Sequence, residues 1–450
     1  MPAIFAEHAL LPEGWAAKVR IGLTGAAIAS VDIDAAPQPG DERAPVLIPG
    51  VANLHSHAFQ RGMAGLAETR GPAADNFWTW REAMYRFALT MTPEQNEAVA
   101  AFAYAEMLES GFTRVGEFHY LHHAPDGSPY ADLAEMAGRI AAAADAAGIG
   151  LTLLPVFYAH SDFSSQKPSS GQRRFLNGLD SFARLHEGSI RVASALPGAV
   201  VGAAPHSLRA ATPDEIAAIE KLAPAGPLHI HAAEQTREVE DCVAWSGQRP
   251  VEWLLDHADV DRRWCLIHAT HMTAEETARL ARSGAVAGLC PLTEANLGDG
   301  VFPARAFTDA GGRWAIGSDS NVLVGLVDEL RQLEAAQRLT LRERNVLAAP
   351  GRSTGRSLVE AALLGGAQAC GVPANGIAAG AAADLVTLRP LHASAAAGQE
   401  DAVLDGWIFA RSAAVESVWA AGRKVVSEGR HVAREKLHAR FRKALGELLA

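Results

Sequence analysis

Four short pieces of this 450-residue chain carry side chains able to hold a metal ion: His55-Ser56-His57, His231 with Glu234 three residues on, His268, and Asp319. Each follows a short run of apolar or small residues that reads as a buried strand. A divalent metal needs neutral imidazoles and a carboxylate converging on one point, and a parallel barrel supplies this by collecting its strand ends on one face. His55 and His57, one residue apart, project to the same side of a strand. In HIHAAE (229–234), His231 ends a strand and Glu234 follows about one turn later, near enough to protonate something bound to the metal. His229 reads as a buried supporting residue. His268 closes the run WCLI and is better placed than His271, which falls in a loop or helix cap. Taken singly, these are hydrogen-bonded histidines, a helix-start acid and a turn aspartate. Taken together, they describe a site for metal-assisted hydrolysis, in which the cation lowers the pKa of water from about 15.7 towards about 7.

The elements that must position these groups alternate. Apolar runs at 46–55, 114–119, 151–160, 199–206, 228–231, 264–268, 285–290 and 313–319 read as strands. Ala/Glu/Arg-rich stretches such as 92–111 and 212–223 read as helices between them, the signature of a βα-repeating parallel sheet. TPDE (212–215) and TAEE (273–276) have the capping pattern of a helix start, a threonine with Glu three residues later. The expected architecture is α/β: a (β/α)8 TIM-like barrel over 48–374, with a small β-sandwich built from residues 1–47 and 375–430. A C-terminal amphipathic helix occupies 431–450. Two long interruptions, 58–91 and 119–130, follow the first two strands and lie on the catalytic face of such a barrel, so their polar residues are candidates for reading substrate.

Composition removes several classes of function. A formal charge of −11 with no basic stripe argues against nucleic acid as a partner. The four cysteines, Cys242, Cys265, Cys290 and Cys370, form no CxxC pair, so neither a disulfide framework nor a thiolate zinc site follows, in keeping with a cytoplasmic protein. The N-terminus lacks the pattern of a signal peptide, and no window approaches the roughly 20 apolar residues of a membrane span.

The constellation resembles the amidohydrolase superfamily over nearly the whole chain. LIPGVANLHSH is similar to its first-strand motif, and GIAAGAAADLVTL with VESVWAAGRKVV is similar to the return of its members to the terminal β domain. The resemblance implies that His55, His57, His231 and Asp319 bind metal, that Glu234, His268 and Asp319 are catalytic, and that the metal is zinc or iron. Many members bridge two metals with a lysine on the fourth strand. Residues 168–220 contain no lysine, which points to a one-metal site of the deaminase kind. In that chemistry water attacks an sp2 carbon bearing nitrogen, Asp319 and His268 orient it or take its proton, and Glu234 protonates the departing nitrogen.

More specific strings narrow the substrate. HAFQRGMAGL (57–66), NFWTWREAMYRF (76–87), GEFHYLHH (116–123) and APHSLR (204–209) resemble the formimino-glutamate deiminases of bacterial histidine degradation. These release ammonia from N-formimino-L-glutamate and leave N-formyl-L-glutamate. The resemblance implies a homodimer and a pocket formed by Gln60, Arg81, Tyr120, His206 and Arg209. A small dicarboxylate calls for arginine forks, which bind carboxylates bidentately. Trp78 and Trp80 are expected to stiffen the first long loop rather than touch substrate. The rivals are deamination of a purine-like aminated ring, which favours stacking aromatics over convergent arginines, a hydrolase with a chloride or amide leaving group, and a barrel scaffold without catalysis.

Overall fold

The apolar runs become strands wherever their residues are buried on both faces, and the terminal stretches pair with each other across the length of the chain. A computed structural model describes residues 3–72, 75–392 and 400–450. Residues 73–74 of the first long loop and 393–399 of the C-terminal segment therefore lie outside the described residues. Strands β1 (Ala3–Leu11), β2 (Gly14–Thr24), β3 (Ala27–Asp32) and β4 (Glu42–Pro49) open the chain. The central segment holds β5 (Val51–Ser56), β6 (Phe112–His119), β7 (Gly150–Phe157), β8 (Val200–Val201), β9 (Ala204–Pro205), β10 (Leu228–Ala232), β11 (Trp264–His268), β12 (Val286–Leu289) and β13 (Arg313–Ile316). Strands β14 (Leu385–Pro390), β15 (Ala413–Ala420), β16 (Arg423–Ser427) and β17 (Arg430–His431) follow.

The two ends form one eight-stranded sheet in the order β17-β16-β15-β14-β4-β1-β2-β3. Its join is the antiparallel pairing of β14 with β4, Leu385 opposite Pro49. The central strands form two parallel arcs, β5-β6-β7-β8 with β9 on β7, and β10-β11-β12-β13. Parallel bridges link the arcs at both edges: Ser56 with Asp319 on one side, Ala203 with Leu228 and Ser207 with His231 on the other. Apart from β8, which runs straight on into β9, each central strand is followed by helical chain, as parallel connections require. A core of Ala52, Leu54, Cys265, Ile267, Val286 and Ala315 fills the space between the arcs. All four cysteines are buried free thiols.

The sequence reading needs small adjustments. The fourth run, 199–206, is two short strands, because Gly202 passes so close to the neighbouring chain that a Cβ there would lie 2.2 Å from the Pro227 carbonyl oxygen. The terminal helix starts at Arg434, since His431 pairs in β17. Thr212 and Thr273 cap their helices through the expected reciprocal bonds with Glu215 and Glu276. The first long interruption contains a 3-10 turn, Ala58–Met63, and helix α1 (Phe77–Ala88), which Asn76 caps. Among the described residues, no helix is long and apolar enough to cross a membrane.

Candidate metal centre and adjoining pocket

The ends of β5, β10, β11 and β13 deliver their polar side chains to one point. One donor atom from each of His55, His57, His231 and Asp319 lies within 4.8 Å of the others, and all four side chains are buried. His231 Nε2 is 3.2 Å from His55 Nε2. Asp319 Oδ1 is 3.2 Å from His57 Nε2 and 3.6 Å from His55 Nε2. Ligands at the corners of a tetrahedron with bonds of about 2.0–2.1 Å stand roughly 3.3 Å apart, so the spacing suits one small cation.

Hydrogen bonds at the far side of two rings decide what the near side offers. His57 Nδ1 lies 3.0 Å from the Phe118 carbonyl, and His231 Nδ1 lies 3.1 Å from the His206 carbonyl. A carbonyl can only accept, so each Nδ1 donates and each Nε2 presents a lone pair when the ring is neutral. Burial pulls the His55 imidazole down to about 3 and that of His231 well below its ordinary range, favouring neutral rings. Burial pushes the Asp319 carboxyl up, but the facing imidazoles of His55 and His57 outweigh it and hold it well below the usual range. Ring lone pairs and a carboxylate packed this closely repel one another unless a cation sits among them. The donor set therefore fits a divalent metal.

The backbone is built to hold this arrangement. Asp319 N–H donates to the His55 carbonyl and His57 N–H to the Asp319 carbonyl, at 3.0 and 2.9 Å. Asn321 Nδ2 donates to Ser56 Oγ and to the carbonyls of His57 and Asp319. Its Oδ1 accepts from Ser318 Oγ, which accepts in turn from Asn53 Nδ2. Asn321 thus ties β5 to the segment after β13. Gly317 permits the approach, since a Cβ there would lie 2.7 Å from the His55 carbonyl oxygen. His268, Asp319 and Asn321 have φ of 65°, 45° and 54°, left-handed backbone that non-glycine residues adopt at a cost and that clusters at functional sites.

Beside this centre stands a second group. His268 Nε2 lies 3.5 Å from Glu234 Oε1 and 3.7 Å from Asp319 Oδ2, while its Nδ1 lies 3.3 Å from Glu294 Oε1. Burial pushes the Glu234 carboxyl up to about 7. Burial pulls the His268 imidazole down, but Glu234, Glu294 and Asp319 outweigh it and raise its pKa. The pair thus retains a proton near neutral pH.

A pocket opens over both groups. All five residues expected to read substrate line it: Gln60, Arg81, Tyr120, His206 and Arg209. Gln60 Nε2 donates to Tyr120 Oη at 2.8 Å, leaving Gln60 Oε1 buried without a partner. Arg81 Nε and Arg209 Nε are likewise buried and unpaired, and among the described residues neither guanidinium makes an ion pair. Arg209 is only 6% exposed. Burial lowers its pKa, yet the field of Glu238, Tyr158 and Glu234 outweighs this and keeps it charged. Met84, Tyr85, Tyr158 and Phe175 supply apolar wall. Trp80 also lines the cavity, against the expectation that it only packs, because α1 lies across the pocket mouth. Trp78 lies behind the arginines.

Sequence reasoning missed three supporting residues. Glu294 orients His268 from the helix after β12; its only signal is a buried acid four residues beyond a strand end. Asn321 follows Asp319 by two residues, a spacing with no general meaning. Glu117 accepts the Ala58 N–H, and burial pushes its carboxyl up to about 7. It was passed over inside an apolar strand.

Comparison with known proteins fits this geometry. Residues 46–425 match the model of the amidohydrolase family, and residues 1–45 match that of the formimidoylglutamate deiminase HutF N-terminal domain. A formimidoylglutamate deiminase of Pseudomonas aeruginosa is 51% identical, with all of both chains covered. Among solved structures, an amidohydrolase from Brucella melitensis is 61% identical with a TM-score of 0.98, again covering both chains fully. An adenosine deaminase from Xanthomonas campestris with bound zinc shares the fold, with a TM-score of 0.79 at 23% identity over 99% of this chain and 98% of its own.

Proposed function

The chain belongs to the amidohydrolase family, and from that membership we propose that it hydrolyses N-formimino-L-glutamate to N-formyl-L-glutamate and ammonia, a step of histidine degradation. The observation that carries the substrate is the pair of guanidiniums, buried Arg209 and half-buried Arg81, which line the pocket beside the histidine–aspartate centre and make no ion pair among the described residues. Two guanidiniums in one pocket, neither engaged in an ion pair among the described residues, suit a dianionic ligand. A flat aminated ring would leave them unpaired. His55, His57, His231 and Asp319 would hold one divalent ion, zinc by preference and iron as the other candidate. When bound, that ion supplies Lewis acidity, which lets water act as a nucleophile near neutral pH.

The chain's own residues do the rest. Arg81 and Arg209 take the carboxylates, and Gln60, Tyr120 and His206 add hydrogen bonds that fix the formimino end towards Glu234. Water adds to the formimino carbon, and the bond from that carbon to the terminal nitrogen breaks. Glu234, raised by burial to about 7, can carry a proton at neutral pH and hands it to the departing nitrogen, which leaves as ammonia. His268, tethered by Glu294, stabilises the charge that develops on the oxygen.

With this reading goes a proposed architecture of a (β/α)8 barrel over 48–374 beside a β-sandwich built from 1–47 and 375–430, with the terminal helix at Arg434–Leu448. The active form is a cytoplasmic homodimer, with its size open to light scattering. The deciding experiment supplies zinc-loaded protein with N-formimino-L-glutamate and follows ammonia. Release of ammonia with N-formyl-L-glutamate as co-product is expected. Faster release from adenosine or guanine, with none from the formimino compound, overturns the assignment.

A further inference from the structure

Buried Arg209 and half-buried Arg81 make no ion pair among the described residues, so something other than a salt bridge has to hold them. Trp78, the second residue of α1, lies against both. Its ring centre is 4.4 Å from Arg81 Cζ and 5.8 Å from Arg209 Cζ. Arg237 Cζ lies 4.8 Å from the same ring. These three arginines come from three separate segments: α1, the turn after β9, and the helix Thr236–Ser246 after β10. Arg237 points to solvent and pairs with Asp241 at 3.4 Å, so it is the outer member of the stack.

An indole face attracts a guanidinium through its quadrupole and offers no oxygen to hydrogen-bond. A carboxylate in the same place would neutralise each arginine and occupy the N–H donors that a ligand needs. The tryptophan therefore anchors both arginines while leaving their charge and donors available. Because one rigid ring touches both, it also fixes the distance between them. Resting on the substrate reading above, we infer that Trp78 is a positioning residue that spaces Arg81 and Arg209 and so selects dicarboxylates by length.

The test compares Trp78→Leu and Trp78→Phe with the unaltered zinc-loaded protein, using glutarate and the one-carbon-shorter succinate as calorimetric probes and N-formimino-L-glutamate for kinetics. The unaltered protein should prefer glutarate. Trp78→Leu should weaken glutarate about tenfold, equivalent to about 1.4 kcal/mol, and erase the preference over succinate. KM should rise in step while kcat stays within about twofold, the split expected of lost ground-state binding. Trp78→Phe keeps a ring face and should retain most of the affinity and the preference. Glutarate should also change the tryptophan emission of the unaltered protein by more than that of Trp78→Phe, where Trp80 alone remains beside the pocket, which keeps the inference testable if the leucine variant fails to fold. A folded Trp78→Leu with unchanged glutarate affinity and preference overturns the role of Trp78 alone. Unaltered protein that binds neither diacid and spares the formimino substrate overturns the substrate reading and this inference together.

Discussion

The metal end and the arginine end of the pocket are built on opposite rules. At the metal end, His57 and His231 have their outer nitrogens tied to carbonyls, and Asn321 knots the two strand ends together. At the arginine end, buried polar atoms are left open: the donors Arg81 Nε and Arg209 Nε and the acceptor Gln60 Oε1 lack partners. Although His55 Nδ1 is buried without a partner, the bonds on His57, His231 and Asn321 hold the first region before anything binds, and rigidity is what a metal ligand set needs. Unsatisfied donors cost stability in the free protein, and that cost is recovered only by a ligand carrying the complementary charges. The contrast separates a permanent site from a transient one.

Breaking the rigid end should have the largest effect. Replacing His231 by Ala removes one ligand, and zinc content measured after gel filtration should fall with activity, by more than about a thousandfold in kcat. Glu234→Gln keeps every ligand, so zinc stays while kcat drops by about 10²–10⁴-fold. A variant with near-normal turnover would remove Glu234 from proton transfer. On the open side, Arg209→Met deletes charge-assisted bonds worth about 1.5–3 kcal/mol, raising KM about 10- to 150-fold with zinc unchanged. Equal KM in variant and parent would place the carboxylate elsewhere.

Asn321→Ala sharpens the contrast from the other direction. It touches no ligand atom, yet loosening the seam should weaken zinc about tenfold in a chelator competition. A further effect, on stability rather than on the site, comes from His119. Burial pulls the pKa of His119 down to about 3, and its Nε2 has no partner. The unfolded chain therefore binds a proton that the folded chain refuses between about 6.5 and 3. The resulting stabilisation is complete above about pH 6.5 and is lost as pH falls through that window, at about 1.4 kcal/mol per unit. Thermal melts of His119→Gln between pH 7 and 4.5 should show a shallower acid decline than the parent, and parallel curves would contradict this.

The alternation of apolar runs and helical stretches was legible because parallel strands buried on both faces leave a continuous apolar signal. The groups at their ends were legible because histidine and aspartate are conspicuous just past such runs. His55, His231 and His268 sit at the ends of their strands as that reading places them, whereas Asp319 stands three residues beyond β13, which ends at Ile316. What escaped was anything acting across the seam between distant segments. Asn321 meets His57 across 264 positions of sequence, a contact that no local pattern announces. Trp78 looked like packing because aromatic residues in a loop usually are. Only the fold brings Arg209 from another strand end to its ring. The split of the fourth strand was equally hidden, since it depends on the closeness of Pro227 to Gly202.

The most direct test is a crystal structure of the zinc-loaded protein with N-formyl-L-glutamate, the product that should occupy both ends of the pocket. It should show one metal among His55, His57, His231 and Asp319, with the two carboxylates on Arg81 and Arg209. A metal elsewhere, or a product whose carboxylates avoid both guanidiniums, would contradict the division between a preformed metal end and an open arginine end.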